Sequence, residues 1–86
     1  MIIKKNLLKR DVAGETVLIP VGKTVLESRG MFALNEVGSF LWDLLPQAEG
    51  AADLTAAVLR EYEVAEEEAH RDIEEFLERL EKMGII

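Results

Sequence analysis

The stretch MFALNEVGSFLWDLLP, residues 31–46, decides the fold, because the hydrophobic period changes inside it. Met31, Phe32, Ala33 and Leu34 read as a short strand, in which alternate side chains point to opposite sides. Met31 and Ala33 form one pair and Phe32 and Leu34 the other, and the pattern leaves open which pair faces inward. Asn35 ends the strand and is a good N-cap, since its side-chain oxygen can accept from an early free N–H of a helix. From there Val37, Phe40, Leu41, Leu44 and Leu45 recur at helical spacing as one apolar stripe. Pro46 ends that helix or begins a loop over residues 46–52.

Upstream of this switch the chain reads as β structure. Leu8, Arg10 and Val12 alternate with Lys9 and Asp11 at a period of two. Ala13, Gly14 and Glu15 supply a turn in which Gly14 is free to take positive φ. Thr16, Val17, Leu18 and Ile19 then form a β-branched run, and Pro20 stops ladder pairing. The two runs predict an antiparallel hairpin. Thr24, Val25 and Leu26 fit a short strand or an irregular crossing, and Ser28-Arg29-Gly30 is a turn signal.

Downstream the chain reads as helix. Asp53 is suited to cap a second helix over residues 54–62, with the stripe Leu54, Ala57, Val58 and Tyr62. After a break at Glu63-Val64-Ala65, a third helix carries Ala69, Ile73, Phe76, Leu77, Leu80 and Met83 at helical spacing. Ile73, Leu77 and Leu80 are its expected core residues. Ala69, Asp72, Phe76 and Arg79 form a neighbouring row. Gly84 stands where a C′ glycine stops a helix, and Ile85 and Ile86 can cover the end of the core. Three short strands followed by three helices indicate an α+β domain, a three-stranded antiparallel sheet with a winged helix-turn-helix-like outline.

At 86 residues the chain is one domain, residues 1–86, with a thin core and little room for an enclosed active site. It has no cysteine, which removes disulfides, thiolate metal sites and cysteine catalysis and fits a reducing cytoplasm. Asn6, Lys9 and Arg10 interrupt the N-terminal segment, so no signal peptide is expected, and no apolar run approaches the ~20 residues of a membrane span.

Chemistry is sparse. His70, the one histidine, flanks the apolar stripe and reads as an exposed helix residue, with no second histidine to complete a metal set. Glu66, Glu67 and Glu68 fall in the first turn of a helix, where carboxylates interact well with its positive end. Gly14, Gly22 and Gly30 are spaced too widely for a phosphate-cradling loop. Trp42 stands off the main stripe and reads either as a side cover of the core or as an anchor for a partner. No catalytic constellation, metal site or cofactor motif emerges, and the chain is not expected to be an enzyme.

Four segments together resemble one family: AGETVLIPVG at 13–22, FALNEVGSFLWDLL at 32–45, LTAAVLREYEV at 54–64 and DIEEFLERLEKMGII at 72–86. The piece LNEVG-x-x-x-W, followed by EYEV and then D-x-x-x-FL-x-x-L, carries the likeness. The chain resembles PqqD-like proteins, the stand-alone recognition elements for ribosomally made peptides. The resemblance implies a winged helix-turn-helix fold that binds peptide instead of DNA. It implies a partner that is the leader of a precursor peptide, added as a strand to the third strand and laid against the third helix. It also implies a modifying enzyme to receive that leader, often a radical SAM maturase. On this sequence the groove is expected at Gly30, Met31, Phe32, Ala33 and Leu34 on the strand and at Ala69, Asp72, Phe76 and Arg79 on the helix. The sequence departs from the family at Ala65, where a capping residue is usual. A missing cap costs about 1 kcal/mol.

The physics of the residues agrees with that expectation. A short edge strand exposes unpaired backbone groups with which an extended peptide can pair. The same edge can pair with a second copy, which leaves a homodimer open. A non-catalytic structural subunit of a larger enzyme is the alternative. A winged-helix DNA-binding regulator ranks below both, because the third helix carries Glu66, Glu67, Glu68, Asp72, Glu74, Glu75, Glu78 and Glu81 against Arg71, Arg79 and Lys82. Duplex affinity rests on neutralising phosphates, and the chain has a formal net charge of −7.

Overall fold

A computed structural model of the chain describes residues 1–22 and 32–86. The expected turn at Ser28-Arg29-Gly30, the segment Thr24-Val25-Leu26, and the site residues Gly30 and Met31 lie outside the described residues. Over the rest the order is β1 (Leu7–Val12), β2 (Glu15–Pro20), β3 (Phe32–Leu34), α1 (Glu36–Leu44), α2 (Ala51–Glu61) and α3 (Glu66–Lys82). The strands form one antiparallel sheet in the order β1-β2-β3, with β3 at an edge. This is the α+β, winged helix-turn-helix-like architecture expected from the sequence.

The hairpin closes through a two-residue loop, since Val12 is the partner of Glu15. Both loop residues have positive φ, Ala13 at 52° and Gly14 at 84°. That matches a type I′ turn, whose twist suits the strands it joins. Gly14 takes this geometry freely, whereas Ala13 pays for its Cβ in the left-handed region.

The register also fixes which backbone groups point where. In a two-residue hairpin the pair flanking the loop exchanges hydrogen bonds, and the pattern alternates from there. Val12/Glu15, Arg10/Val17 and Leu8/Ile19 are therefore the bonded pairs of β1 and β2. The bond from Val21 N–H to the Asn6 carbonyl, 3.0 Å, continues the same alternation. Thr16 and Leu18 accordingly turn their backbone groups toward β3, where their partners are Leu34 and Phe32.

Side chains follow the same parity. Leu18, Phe32 and Leu34 enter the core, while Ala33 is exposed. On β1 the inward set is Leu7 and Lys9, and the apolar Leu8 and Val12 stay 43% and 44% exposed. Lys9 reaches across to α1, donating to Asp43 Oδ2 at 2.6 Å and Ser39 Oγ at 3.0 Å. A lysine thus ties the outer strand to the first helix, and its half-buried stem packs where an aliphatic residue would.

Asn35 caps α1 as expected: its Oδ1 accepts from Gly38 N–H at 2.7 Å. Trp42 is buried in the core with Leu41 and Leu45, so it covers the core and is not a free anchor. After Leu44 the chain continues as a 3-10 turn, Leu45–Gln47, with Pro46 in its first turn, where the missing N–H is no loss. The expected loop at 46–52 is correspondingly shorter.

α2 begins at Ala51, three residues before the expected start at Leu54, and its N-cap is Gly50. Asp53 does not cap from outside the helix. It sits in the first turn and reaches back past the cap to accept from Glu49 N–H at 2.8 Å. A carboxylate also interacts well with the positive end of a helix.

α3 buries Ala69, Ile73, Phe76 and Leu80, a four-three-four spacing that makes one continuous stripe. Leu77, expected in the core, packs at its margin and is half-buried. The stripe is rotated by part of a turn toward Phe76, because the sheet edge and α1 close over that side. Ala65 precedes the helix with no side-chain cap bond, as its identity requires. At the other end Gly84 has φ 73°, its N–H donates to Glu81, and Ile85 N–H donates to Leu80 at 2.9 Å. These two bonds make a Schellman motif, and Ile85 folds back into the core beside Leu80.

Two measurements check this reading. Ala13→Asn, which accepts left-handed backbone more readily than alanine, is expected to stabilise the protein by about 0.5–1 kcal/mol in urea denaturation. A loss of stability would refute the turn assignment. The second concerns Tyr62, the chain's one tyrosine, which meets Phe40 edge to face at 5.5 Å. Burial, with added repulsion from Glu36 and Glu61, raises its pKa above 10.0. A raised pKa favours the neutral phenol in the folded state. Its contribution to stability is therefore present below pH ~10 and is lost as pH climbs through the higher folded value. Tyrosinate absorbance should show a midpoint above 10.0 in the native protein that falls back on denaturation.

Candidate functional site

β3 is three residues long, and its alternation with β2 has a direct consequence. Leu34 and Phe32 spend their backbone groups on Thr16 and Leu18, so Ala33 lies between them as a non-bonded pair with Val17. The N–H and C=O of Ala33 therefore point away from β2, toward the side of β3 on which no described strand pairs. A guest strand laid there meets one donor and one acceptor at the correct spacing.

Beside this edge lies a hollow of about 330 Å³. Phe32, Ala33 and Leu34 form its sheet wall, and Asp72, Glu75, Phe76 and Arg79 form its α3 wall. Val37, Gly38 and Leu41 of α1 close the bottom. The floor is apolar and belongs to the core, since Phe32, Leu34, Leu41 and Phe76 are all buried. The rim is charged, with Asp72, Glu75 and Arg79 exposed.

Gly38 sets the depth of the hollow. A Cβ added there would stand 3.1 Å from Asn35 Oδ1, 3.5 Å from Leu34 Cδ2 and 3.7 Å from Phe76 Cε1. The first of these atoms is held by the helix cap and has little freedom to retreat. The glycine thus lets cap, strand and third helix converge on one point. On the rim, the Arg79 guanidinium lies 4.5 Å from the centroid of the Phe32 ring, a cation–π contact that holds the arginine against β3.

Of the residues expected at the groove, Phe32, Ala33, Leu34, Asp72, Phe76 and Arg79 come together around this hollow. Ala69 is 2% exposed and lies in the core outside the lining. Its place on the stripe with Ile73 and Phe76 turns it into the core. Asn35, Val37, Gly38, Leu41 and Glu75 also line the hollow, and the sequence did not place them at the groove. The i+4 relation of Glu75 to Arg79 was a signal for one of them, and the convergence on α1 was visible only in three dimensions.

The remaining candidates are surface features. His70 is exposed and lies 3.0 Å from Glu74 one turn on. Glu66, Glu67 and Glu68 are exposed in the first turn of α3. Among the described residues no histidine, aspartate and glutamate side chains group as a metal site. No helix among them is long and apolar enough to cross a membrane.

Comparison with known proteins gives the same picture. A profile of the family described as "Coenzyme PQQ synthesis protein D (PqqD)" matches residues 15–86. No curated protein matches the chain significantly. Among solved structures, TbiB1 in complex with the TbiA(beta) leader peptide is similar in fold, with a TM-score of 0.73 and 27% sequence identity. The alignment covers 99% of this chain and 93% of that one.

The close approach at Gly38 is testable in isolation. Helix propensity alone would make Gly38→Ala stabilising by up to about 1 kcal/mol, while loss of a cap costs about 0.5–2 kcal/mol. Because the added methyl presses on the cap oxygen, Gly38→Ala is expected to lower stability by about 0.5–1 kcal/mol in thermal or urea unfolding. A clear gain would show that Asn35 yields without cost.

Proposed function

The chain belongs to the PqqD family, a family of non-catalytic chaperones, and on that footing we propose that it binds the leader segment of a ribosomally synthesised precursor peptide by strand addition to β3 and presents it to a modifying enzyme, a radical SAM maturase. The observation that carries this reading is the outward-facing backbone pair of Ala33 directly above the hollow between β3 and α3. Main-chain pairing at the edge supplies affinity with little regard to sequence, and side chains entering the hollow select the partner. The similar structure holds a leader peptide, which supports a peptide occupant over DNA. The acidic outer face of α3 works against duplex binding for the reason given above.

The chemistry required of the chain is positional. It orders a flexible segment as a strand and so removes part of the entropy that the modifying enzyme would otherwise have to overcome. Phe32, Leu34 and Phe76 offer apolar contact to the leader, Ala33 its backbone, and Asp72 and Arg79 the charges at either end. Gly30 and Met31 belong to the proposed site and lie outside the described residues. No group in the proposed site needs to take or give a proton, and the reading calls for no cofactor.

Phe76 is a poor probe of this site, because it is buried. Its truncation to alanine is expected to cost about 3–5 kcal/mol of stability before any leader is added. Ala33→Pro is the better variant. Proline is tolerated on an edge strand when the lost N–H faces solvent, so the fold should persist. Calorimetric titration with the synthetic leader of the precursor encoded beside this chain's gene should give a dissociation constant on the order of micromolar, as small interfaces do. Ala33→Pro should weaken it about tenfold or more, since a hydrogen bond and the fit of the strand are both lost. Leader binding unaltered in the folded proline variant would refute strand addition at β3.

A further inference from the structure

The rim charges are arranged along the groove in a definite order. Arg79 stands over Phe32, at the beginning of β3. One turn earlier on α3, Phe76 meets the point where Gly38 and Leu34 approach, at the end of β3. α3 therefore runs against β3, and Asp72, a further turn back, lies beyond Leu34. Glu75 lies on the same wall as Asp72.

A second hollow lies at that end of the sheet, on the side of β2. It shares Ala33, Leu34 and Asn35 with the first and adds Glu15 and Glu36 to its walls. The path beside β3 thus begins at a cation and ends among carboxylates. Asp72, Glu75 and Arg79 form no ion pair with another described residue.

Resting on the leader-binding reading above, we propose that these charges select the sequence and direction of the bound strand. The ligand is an extended peptide with a basic residue on its N-terminal side and an acidic residue on its C-terminal side, separated by an apolar residue seated over Phe76 and Gly38. The order follows from antiparallel pairing, which is the pairing of every strand in this sheet and the more stable of the two per residue. An antiparallel guest passes the end of β3 first, where Asp72 and Glu75 receive its cation. It reaches the beginning of β3 last, where Arg79 receives its anion.

The spacing is also set. Glu75 and Arg79 are one helical turn apart, about 6 Å, and Asp72 and Arg79 about 10 Å. Strand residues on one face are about 7 Å apart at i, i+2 and about 13 Å at i, i+4. The two charges therefore lie two to four positions apart in the ligand. A parallel guest would present them in reverse and set like charges against each other at both ends, which is how a rim of this kind rejects the wrong direction.

The test uses the full chain and the synthetic leader of the precursor encoded beside its gene, titrated at low and high salt. The wild-type protein should bind about tenfold more weakly at high salt, since exposed charges are screened. The double variant Asp72→Lys with Glu75→Lys should lose about tenfold or more at low salt. A leader in which the basic residue is replaced by glutamate should recover most of that loss on the double variant while binding the wild type poorly. Arg79→Glu should be rescued by the converse change at the acidic position.

A leader that binds the wild type but carries no such charge order overturns the proposal. So do charge reversals that leave its affinity unchanged. In both cases leader binding itself stands. A leader that does not bind the folded wild type overturns the underlying reading instead.

Discussion

The bond from Gly38 N–H to Asn35 Oδ1 is the contact on which the rest of the site depends. It sits where extended chain becomes helix, and it fixes the angle at which α1 leaves β3. Because residue 38 has no side chain, Leu34 and the ring of Phe76 come within ordinary contact distance of the same point. Strand, first helix and third helix are thereby held around one hollow, and no described strand pairs with the outer edge of β3. Move the cap and all three walls move with it.

The core and the site are not separate layers. Phe32 and Leu34 fill the interior from β3, Phe76 fills it from α3, and the same three side chains make the apolar floor beside the open edge. A domain of this size has too little interior to maintain a core and a distinct binding pocket. The charged rim is laid over that shared floor, and its residues are held by position more than by contact. Arg79 is the exception, resting on the Phe32 ring.

Much of this was legible in the sequence, for identifiable reasons. The hairpin, the switch at Asn35 and the stop at Gly84 are written in local chemistry: a β-branched run around Gly14, a capping amide, and a glycine at the C′ position. The strand pair that faces inward was not legible, because Met31-Phe32-Ala33-Leu34 is apolar on both sides and alternation alone cannot choose. The start of α2 was misplaced for a related reason. Asp53 serves a helix equally well from the cap or from the first turn, and only Gly50 as the true cap separates the two. Leu77 and Phe76 exchanged prominence because adjacent residues differ by about 100° around a helix, and tertiary packing selects the phase. On the groove, Phe32, Ala33, Leu34, Asp72, Phe76 and Arg79 came together, Ala69 turned into the core, and the residues contributed by α1 required the angle set at Asn35.

The double use of the floor bears on how such a protein changes its partner over generations. Substitutions at Phe32, Leu34 or Phe76 draw on the few kcal/mol by which a small domain remains folded. Most are removed by selection before any new specificity is tried. Asp72, Glu75 and Arg79 are exposed, and exchanges there cost little stability. Divergence among descendants of this chain should thus accumulate on the rim and spare the floor, so that new recognition arises by redecorating an inherited cavity.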